Sequence, residues 1–208
     1  MAAVAERARD SIPLVNLGRM LVTGSNPTTH DRRLGAEIER AGHDFVLDIG
    51  CGDARVLRFA RPLRYVGLDL HGASLERARR MWGTRGGVEL VEADITQADL
   101  SAWRGADVVV ISNLLHHIED EEALDLLDRI ASEVAPDRIL VQDAEPRGAM
   151  APVVRALDGG ENLRRRAELL ELVKPRFAAR EVERWSNRFR SFHYFLVELR
   201  PLTPAGTP

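Results

Sequence analysis

The sequence predicts an α/β fold: a Rossmann-like, seven-stranded, mostly parallel sheet with an antiparallel C-terminal hairpin and helices on both faces. Three observations predict it. Short β-rich apolar runs alternate with helical patterns through the middle of the chain. A glycine-rich turn, "DIGCGDA", follows the first of these runs. The last two strand candidates lie close enough in sequence to pair as antiparallel neighbours.

The elements follow in order. Ahead of the first strand, "PLVNLGRMLV" and "THDRRLGAEIERAG" carry helical spacing. Strands are expected at Phe45 to Ile49, Tyr65 to Leu70, Val88 to Val91, Val108 to Ile111 and Ile139 to Val141. Between them, "ASLERARRMWG" reads as a helix ending at Gly83, and Thr96 to Arg104 as a shorter, weaker one. In "EEALDLLDRIASEVAP", Leu124, Leu127, Ile130 and Val134 recur at three and four residues. Acidic residues open that helix and Pro136 closes it. After a long segment, Arg147 to Phe177, the final strands fall near Arg180 to Trp185 and His193 to Leu199, and "PLTPAGTP" reads as a disordered tail. We expect one domain over residues 1–208, with a helical cap at 1–40, a core at 44–145, a helical segment at 147–177 and terminal strands at 180–200.

A chain of 208 residues, 45% apolar and 29% charged, can bury its core without disulfides or a structural metal. No apolar run approaches a membrane span, and the first residues lack the apolar stretch of a secretory signal, so a cytoplasmic location is expected. The lone cysteine, Cys51, reads as a small residue packed in the turn rather than a catalytic thiol. Net charge is −3, and the one run of three arginines, Arg164 to Arg166, has Glu161 and Glu168 alongside. It reads as a solvated helix face, and charge gives no support to a nucleic-acid partner.

The glycine turn poses a choice of ligand. A dinucleotide site would show a third glycine and aim backbone amides at a pyrophosphate. Here that glycine is absent, and carboxylates flank the turn at Asp48 and Asp53. They would repel an anion and attract an amino group or a sulfonium. Asp69, at the tip of the second strand in "YVGLDL", can accept both hydroxyls of a ribose, and Asp94, after the third strand in "VELVEADI", can accept from an adenine amine. Each has a plainer alternative. Asp48 could cap a turn, Asp53 a following helix, and Asp94 could bond its own backbone.

Together "LDIGCGDA", "GLDL", "EADI" and "VVVISNLLHHI" resemble the motifs of class I S-adenosylmethionine-dependent methyltransferases, across roughly residues 44 to 145. The resemblance implies S-adenosyl-L-methionine as cofactor. Asp48, Gly50 and Gly52 would hold its methionine part, Asp69 the ribose and Asp94 the adenine edge. Cys51, Leu70, Ile95 and Asn113 stand beside them in the same motifs and complete the expected cofactor-binding set. Ala54 departs from the family, which commonly has a third glycine there. A methyl group is tolerable if the position is already helical.

Methyl transfer needs a nucleophile in line with the methyl and, for a hydroxyl, a group to take its proton. Candidates sit past the fourth and fifth strands: Asn113, His116 and His117 in "ISNLLHHIED", and Asp143 and Glu145 in "VQDAEP", with either histidine the favoured base and Asp143 and His193 weaker ones. The Asn/Asp-Pro-Pro-aromatic run of nucleic-acid amino methyltransferases is absent, and Asp143 has no matching Asp-Asn pair of the metal-dependent catechol type, so no metal is expected. Residues 1–40 and 147–177 would select the acceptor, with Gly159 and Gly160 a candidate hinge. The expected function is methylation of a small-molecule oxygen or nitrogen. The alternative is a protein of the same fold that binds S-adenosylmethionine or S-adenosylhomocysteine without transferring methyl. Oligomeric state is not legible in the sequence.

Overall fold

The computed structural model describes residues 27–146, 162–186 and 192–202. Seven strands form one sheet in the order β3-β2-β1-β4-β5-β7-β6. They are β1 (Phe45–Ile49), β2 (Arg64–Asp69), β3 (Val88–Glu92), β4 (Val108–Ser112), β5 (Arg138–Pro146), β6 (Phe177–Ser186) and β7 (Phe192–Pro201). The first five are parallel, while β7 runs antiparallel between β5 and β6. From β1 the chain steps outward to β2 and β3, then returns to lay β4 against the other side of β1. The sheet therefore changes direction between β1 and β4, the place where open α/β sheets leave a crevice at the carboxyl ends of their strands.

The central strands are apolar throughout because both faces are covered. On one face Leu47, Ile49, Val66, Val109, Ile111 and Val141 pack with Leu126 and Leu127 of α3 (Asp120–Arg129) and with Leu169 and Val173 of α4 (Arg166–Val173). On the other, Val46, Tyr65, Val110, Leu140 and Leu196 meet Leu34 and Ile38 of α1 (Pro27–Ala41) and Ala78 of α2 (Gly72–Trp82).

Several expectations change. The glycine turn leads not into an α-helix but into one 3-10 turn, Arg55–Arg58, before β2 begins. The Thr96 to Arg104 connector likewise holds only a 3-10 turn, Leu100–Trp103, capped by Asp99. The expected long helix before Pro136 changes pitch at Ile130–Val134, a π-type turn that ends on Ala135 at φ 54°. β5 runs five residues past the expected Val141, because pairing with β7 continues to Pro146 opposite Phe192. Asp143 and Glu145 are thus strand residues rather than loop residues. Of the expected helical segment at 147–177, the described part contains α4 alone. The Gly159–Gly160 hinge and the helix expected over "PLVNLGRMLV" lie outside the described residues.

Arg129, at the end of α3, organises the loop that follows β3. Its guanidinium donates to the carbonyls of Ile95 and Thr96 at 3.0 and 3.1 Å and to that of Ala98, while its Nε holds Glu133 at 2.9 Å. Glu133 in turn accepts from the backbone of Leu100 at 3.0 Å. A leucine in place of Arg129 leaves three carbonyls without their charged donor. The expected loss for Arg129→Leu is about 2 kcal/mol in denaturant unfolding.

Candidate functional site

Strand alternation puts Asp48 on the same face as Val46, and the β1–β2 register sets it opposite Gly67. Gly67 has no side chain, so the ring of Tyr65, two residues earlier on that face, lies across it and reaches Asp48. The phenol donates to Asp48 Oδ2 at 2.6 Å. A Cβ at position 67 would come within 2.7 Å of Cys51 Sγ and 3.0 Å of the Tyr65 ring. Burial pushes the Asp48 carboxyl up to about 7, against the pull of the Tyr65 hydrogen bond and with added repulsion from Asp69 and Asp31. The same burial, with Asp48 nearby, pushes the Tyr65 phenol well above its usual range.

The turn itself is built on left-handed backbone. Gly50 and Gly52 sit at φ +74° and +53°, and the amides of Gly50 and Cys51 both donate to the carbonyl of Leu68, at 2.8 and 2.9 Å. Ala54 does not meet the condition of being already helical: it too is left-handed, at φ 51° and ψ 40°, and is fully buried. The methyl group occupies this left-handed backbone at a cost of about 1–2 kcal/mol. Asp53 caps no helix. It holds Arg77 at 2.9 Å instead. Burial pushes the Cys51 thiol far up, with Asp48 and Asp69 adding to the effect, so it is not a nucleophile.

Asp69 faces the turn from the end of β2. Its Oδ2 accepts from the amide of Gly52 and its Oδ1 from that of His71, both at 2.8 Å, which fixes the carboxylate between two loops. Nothing lies within 4 Å of a Cβ built on Gly52, so the turn is open there. Leu70 is exposed beside Asp69. The amide of Ala93 donates to the Asp69 carbonyl at 3.0 Å, leading into Asp94 and the half-buried Ile95. Asp94 is exposed, and its Oδ1 accepts from the hydroxyl and amide of Thr96 at 2.7 and 2.9 Å, bonds that hold its carboxyl below the usual range. It does bond its own turn, as the plainer reading had it.

Past β4, Asn113 is left-handed at φ 53°, its amide donating to the Gln142 carbonyl at 2.9 Å and its side chain to Ser112 at 3.1 Å. Leu114 then lies against the glycine turn, 3.3 Å from a Cβ built on Gly50. The next residues form a 3-10 turn, Leu115–His117, that buries His116 and leaves His117 exposed, their ring centroids 4.1 Å apart. His116 Nδ1 meets Asp143 Oδ1 at 2.6 Å, the two residues being 3% and 6% exposed. The same Asp143 oxygen accepts from the amide of Ala144 at 2.8 Å.

The expected site residues therefore collect at the carboxyl ends of β1 to β5. Three contributors were not foreseen. Tyr65 and Gly67 read as ordinary strand residues, and only the β1–β2 register reveals that one braces Asp48 through the space the other leaves. Asp31 of α1 lies 3.0 Å from Arg55, and burial raises its carboxyl. No sequence signal links it to a turn that is distant along the chain. Among the described residues no cluster of His, Cys, Asp or Glu is arranged to hold a metal, and no helix is long and apolar enough to cross a membrane.

Two expectations follow from this geometry. Gly67→Ala should lower stability by about 1–3 kcal/mol in denaturant unfolding, with partial recovery when Cys51→Ala removes the sulfur. Asp48 has its folded value raised above the unfolded one, so ionising it opposes folding. That penalty is absent below about pH 4, grows as pH rises and is complete above about 7. Asp48→Asn should accordingly stabilise the protein at pH 8 more than at pH 4, as read by thermal unfolding at both.

Residues 46–137 match a family profile described as "Methyltransferase domain". No curated protein matches the chain. Among solved structures it is similar to the mitomycin 7-O-methyltransferase MmcR, with 24% identity, TM-score 0.64, and coverage of 84% of this chain and 54% of that one. It is also similar to magnesium protoporphyrin IX methyltransferase from Synechocystis PCC 6803 with bound SAM, at 17% identity, TM-score 0.60, and coverage of 83% and 79%. A third is the N-methyltransferase NodS from Bradyrhizobium japonicum WM9 in complex with S-adenosylhomocysteine, at 17% identity, TM-score 0.63, and coverage of 85% and 86%. Residues 46–137 thus match the methyltransferase-domain profile, and the chain has the fold of the class I S-adenosylmethionine-dependent methyltransferases.

Proposed function

We propose that this protein transfers a methyl group from S-adenosylmethionine to an oxygen or nitrogen of a small-molecule acceptor, with His116 as general base and Asp143 orienting it. The observation that carries the reading is the buried His116–Asp143 pair, 2.6 Å apart between the turn after β4 and strand β5, with His116 two residues beyond the leucine that packs on the glycine turn.

The residues around the turn fit the cofactor. Asp31, Asp48 and Asp69 concentrate negative charge there, and the repulsion among them that helps raise Asp48 is relieved by a cationic ligand. Gly52 leaves open space where a side chain would stand. In this reading Asp48, Gly50, Cys51 and Gly52 hold the amino-acid end. Asp69 accepts the ribose hydroxyls through the lone pairs left by its two amide donors, with Leu70 beside it. Asp94 and Ile95 border the adenine, and Asn113 turns the chain toward His116.

Bound there, S-adenosylmethionine supplies a methyl group on a sulfonium, an electrophile that needs only an aligned nucleophile. The protein supplies the alignment and the base. Asp143 accepts from Nδ1–H, which selects the tautomer with its basic lone pair on Nε2. It also stabilises the imidazolium that forms when the acceptor proton moves to that nitrogen. The exposed His117 borders the same turn. The similar proteins named for mitomycin, magnesium protoporphyrin IX and N-methyl transfer support a small-molecule acceptor. A net charge of −3 gives a nucleic-acid acceptor no electrostatic support, and action in the cytoplasm is part of the same reading.

Incubation with S-adenosylmethionine and a metabolite extract, followed by mass spectrometry, should reveal a product heavier by one methyl. On that acceptor His116→Ala is expected to lower kcat by about 100-fold or more. Asp69→Ala should instead weaken S-adenosylhomocysteine binding at least ~10-fold in calorimetry, through loss of a charge-assisted hydrogen-bond acceptor. Tight S-adenosylhomocysteine binding without any methylated product would favour the non-transferring alternative, and full turnover in His116→Ala would remove His116 as base.

A further inference from the structure

The arginine run that reads in sequence as a solvated face is divided by the structure. Arg165 is exposed at the start of α4, and Arg166 pairs with Glu181 on β6 at 3.0 Å. Arg164 precedes the helix, and its side chain is only 10% exposed. Its guanidinium donates to the carbonyl of Leu115 at 2.6 Å, to that of Ile118 at 2.8 Å and to Asp120 at 2.6 Å. The amide of Asn162 donates to the carbonyl of His116 at 3.1 Å. Residues 162–164 therefore hold the carbonyls of residues 115, 116 and 118, the stretch of chain that carries His116.

That stretch has little support of its own. It is a three-residue 3-10 turn whose closing bonds run from His117 to Leu114 at 2.9 Å and from Ile118 to Leu115 at 3.3 Å. The planar fork of Arg164 spans its two ends and ties both to the first residue of α3, Asp120. A lysine ammonium has no fork to bridge two carbonyls and a carboxylate in this way. Displacing a catalytic group by about 1 Å can cost on the order of 100-fold in rate.

We propose that Arg164 is a positioning residue for the reaction: it fixes the Leu115–His117 turn so that the His116 imidazole stays on Asp143 in the tautomer a general base requires. The proposal rests on the reading of His116 as base. It also assigns a task to residues within the 147–177 segment expected to select the acceptor, coupling that side of the site to the base through backbone carbonyls.

The test uses the full chain with Arg164→Lys and Arg164→Ala, together with imidazole nitrogen NMR of His116. Both variants should bind S-adenosylhomocysteine within about threefold of the unsubstituted protein, since Arg164 touches none of the turn around Asp48 and Asp69. In both, the His116 signal should lose its Nδ1–H signature in favour of mixed tautomers and its titration should move. Added methylguanidine should restore the signature in Arg164→Ala. With an acceptor in hand, kcat should fall roughly tenfold while KM holds. An unchanged His116 tautomer and titration in a folded variant would overturn the proposal, and Arg164→Lys decides the matter if Arg164→Ala does not fold. Turnover surviving His116→Ala would instead remove the base reading, while the NMR result would still decide whether Arg164 sets the imidazole.

Discussion

Placing a carboxylate inside the sheet at the end of β1 is the constraint that organises this molecule. Asp48 is 4% exposed, and such a group needs a hydrogen-bond donor and room for it. Tyr65 is the donor, and Gly67 makes the room. The tyrosine ring crossing a glycine on β2 in turn places Cys51 where its sulfur fits, and so sets the path of the turn between the first two strands. Asp69 completes the arrangement by accepting the amide of Gly52, so the turn is held from both strands it joins. The charge left concentrated there is uncomfortable for the folded protein alone. That discomfort is the feature a positively charged ligand removes.

Strand order then determines what else can reach the turn. Because β4 returns to the side of β1 opposite β2, the loop after β4 arrives next to the glycines, and Leu114 makes the contact. Asp143 sits one strand further on, within reach of that loop and on the sheet face that α3 and α4 cover. The glycine turn and the His116–Asp143 pair are thus brought together by connectivity. Neither needs a specialised loop of its own.

Much of this was legible in the sequence because it depends on local pattern. The apolar runs located all seven strands, and the acids at successive strand ends do stand at the carboxyl edge of the sheet. What was not legible depends on partners far away in the chain. The true end of β5 depends on β7, since only pairing with residues from Phe192 onward carries the strand to Pro146. The bracing of Asp48 by Tyr65 depends on register. The burial of Arg164 depends on carbonyls some fifty residues earlier, which no charge pattern reports. The backbone of Ala54 is not legible for a different reason, because an alanine carries no sign in sequence of which side of zero its φ will take.

The place of β7 has a consequence for how the chain reaches this state. It is the last described strand to be synthesised, yet it lies inside the sheet, between β5 and β6. Until it arrives, β5 presents an open edge of backbone amides and carbonyls, and β6 has no neighbour at all. Parallel pairing with β4 holds β5 only as far as Gln142, so Asp143 to Pro146 stay unpaired until β7 has been made. In a nascent chain the end of β5 therefore has its strand partner only once β7 is in place, and during that interval the chain has most need of protection from other chains.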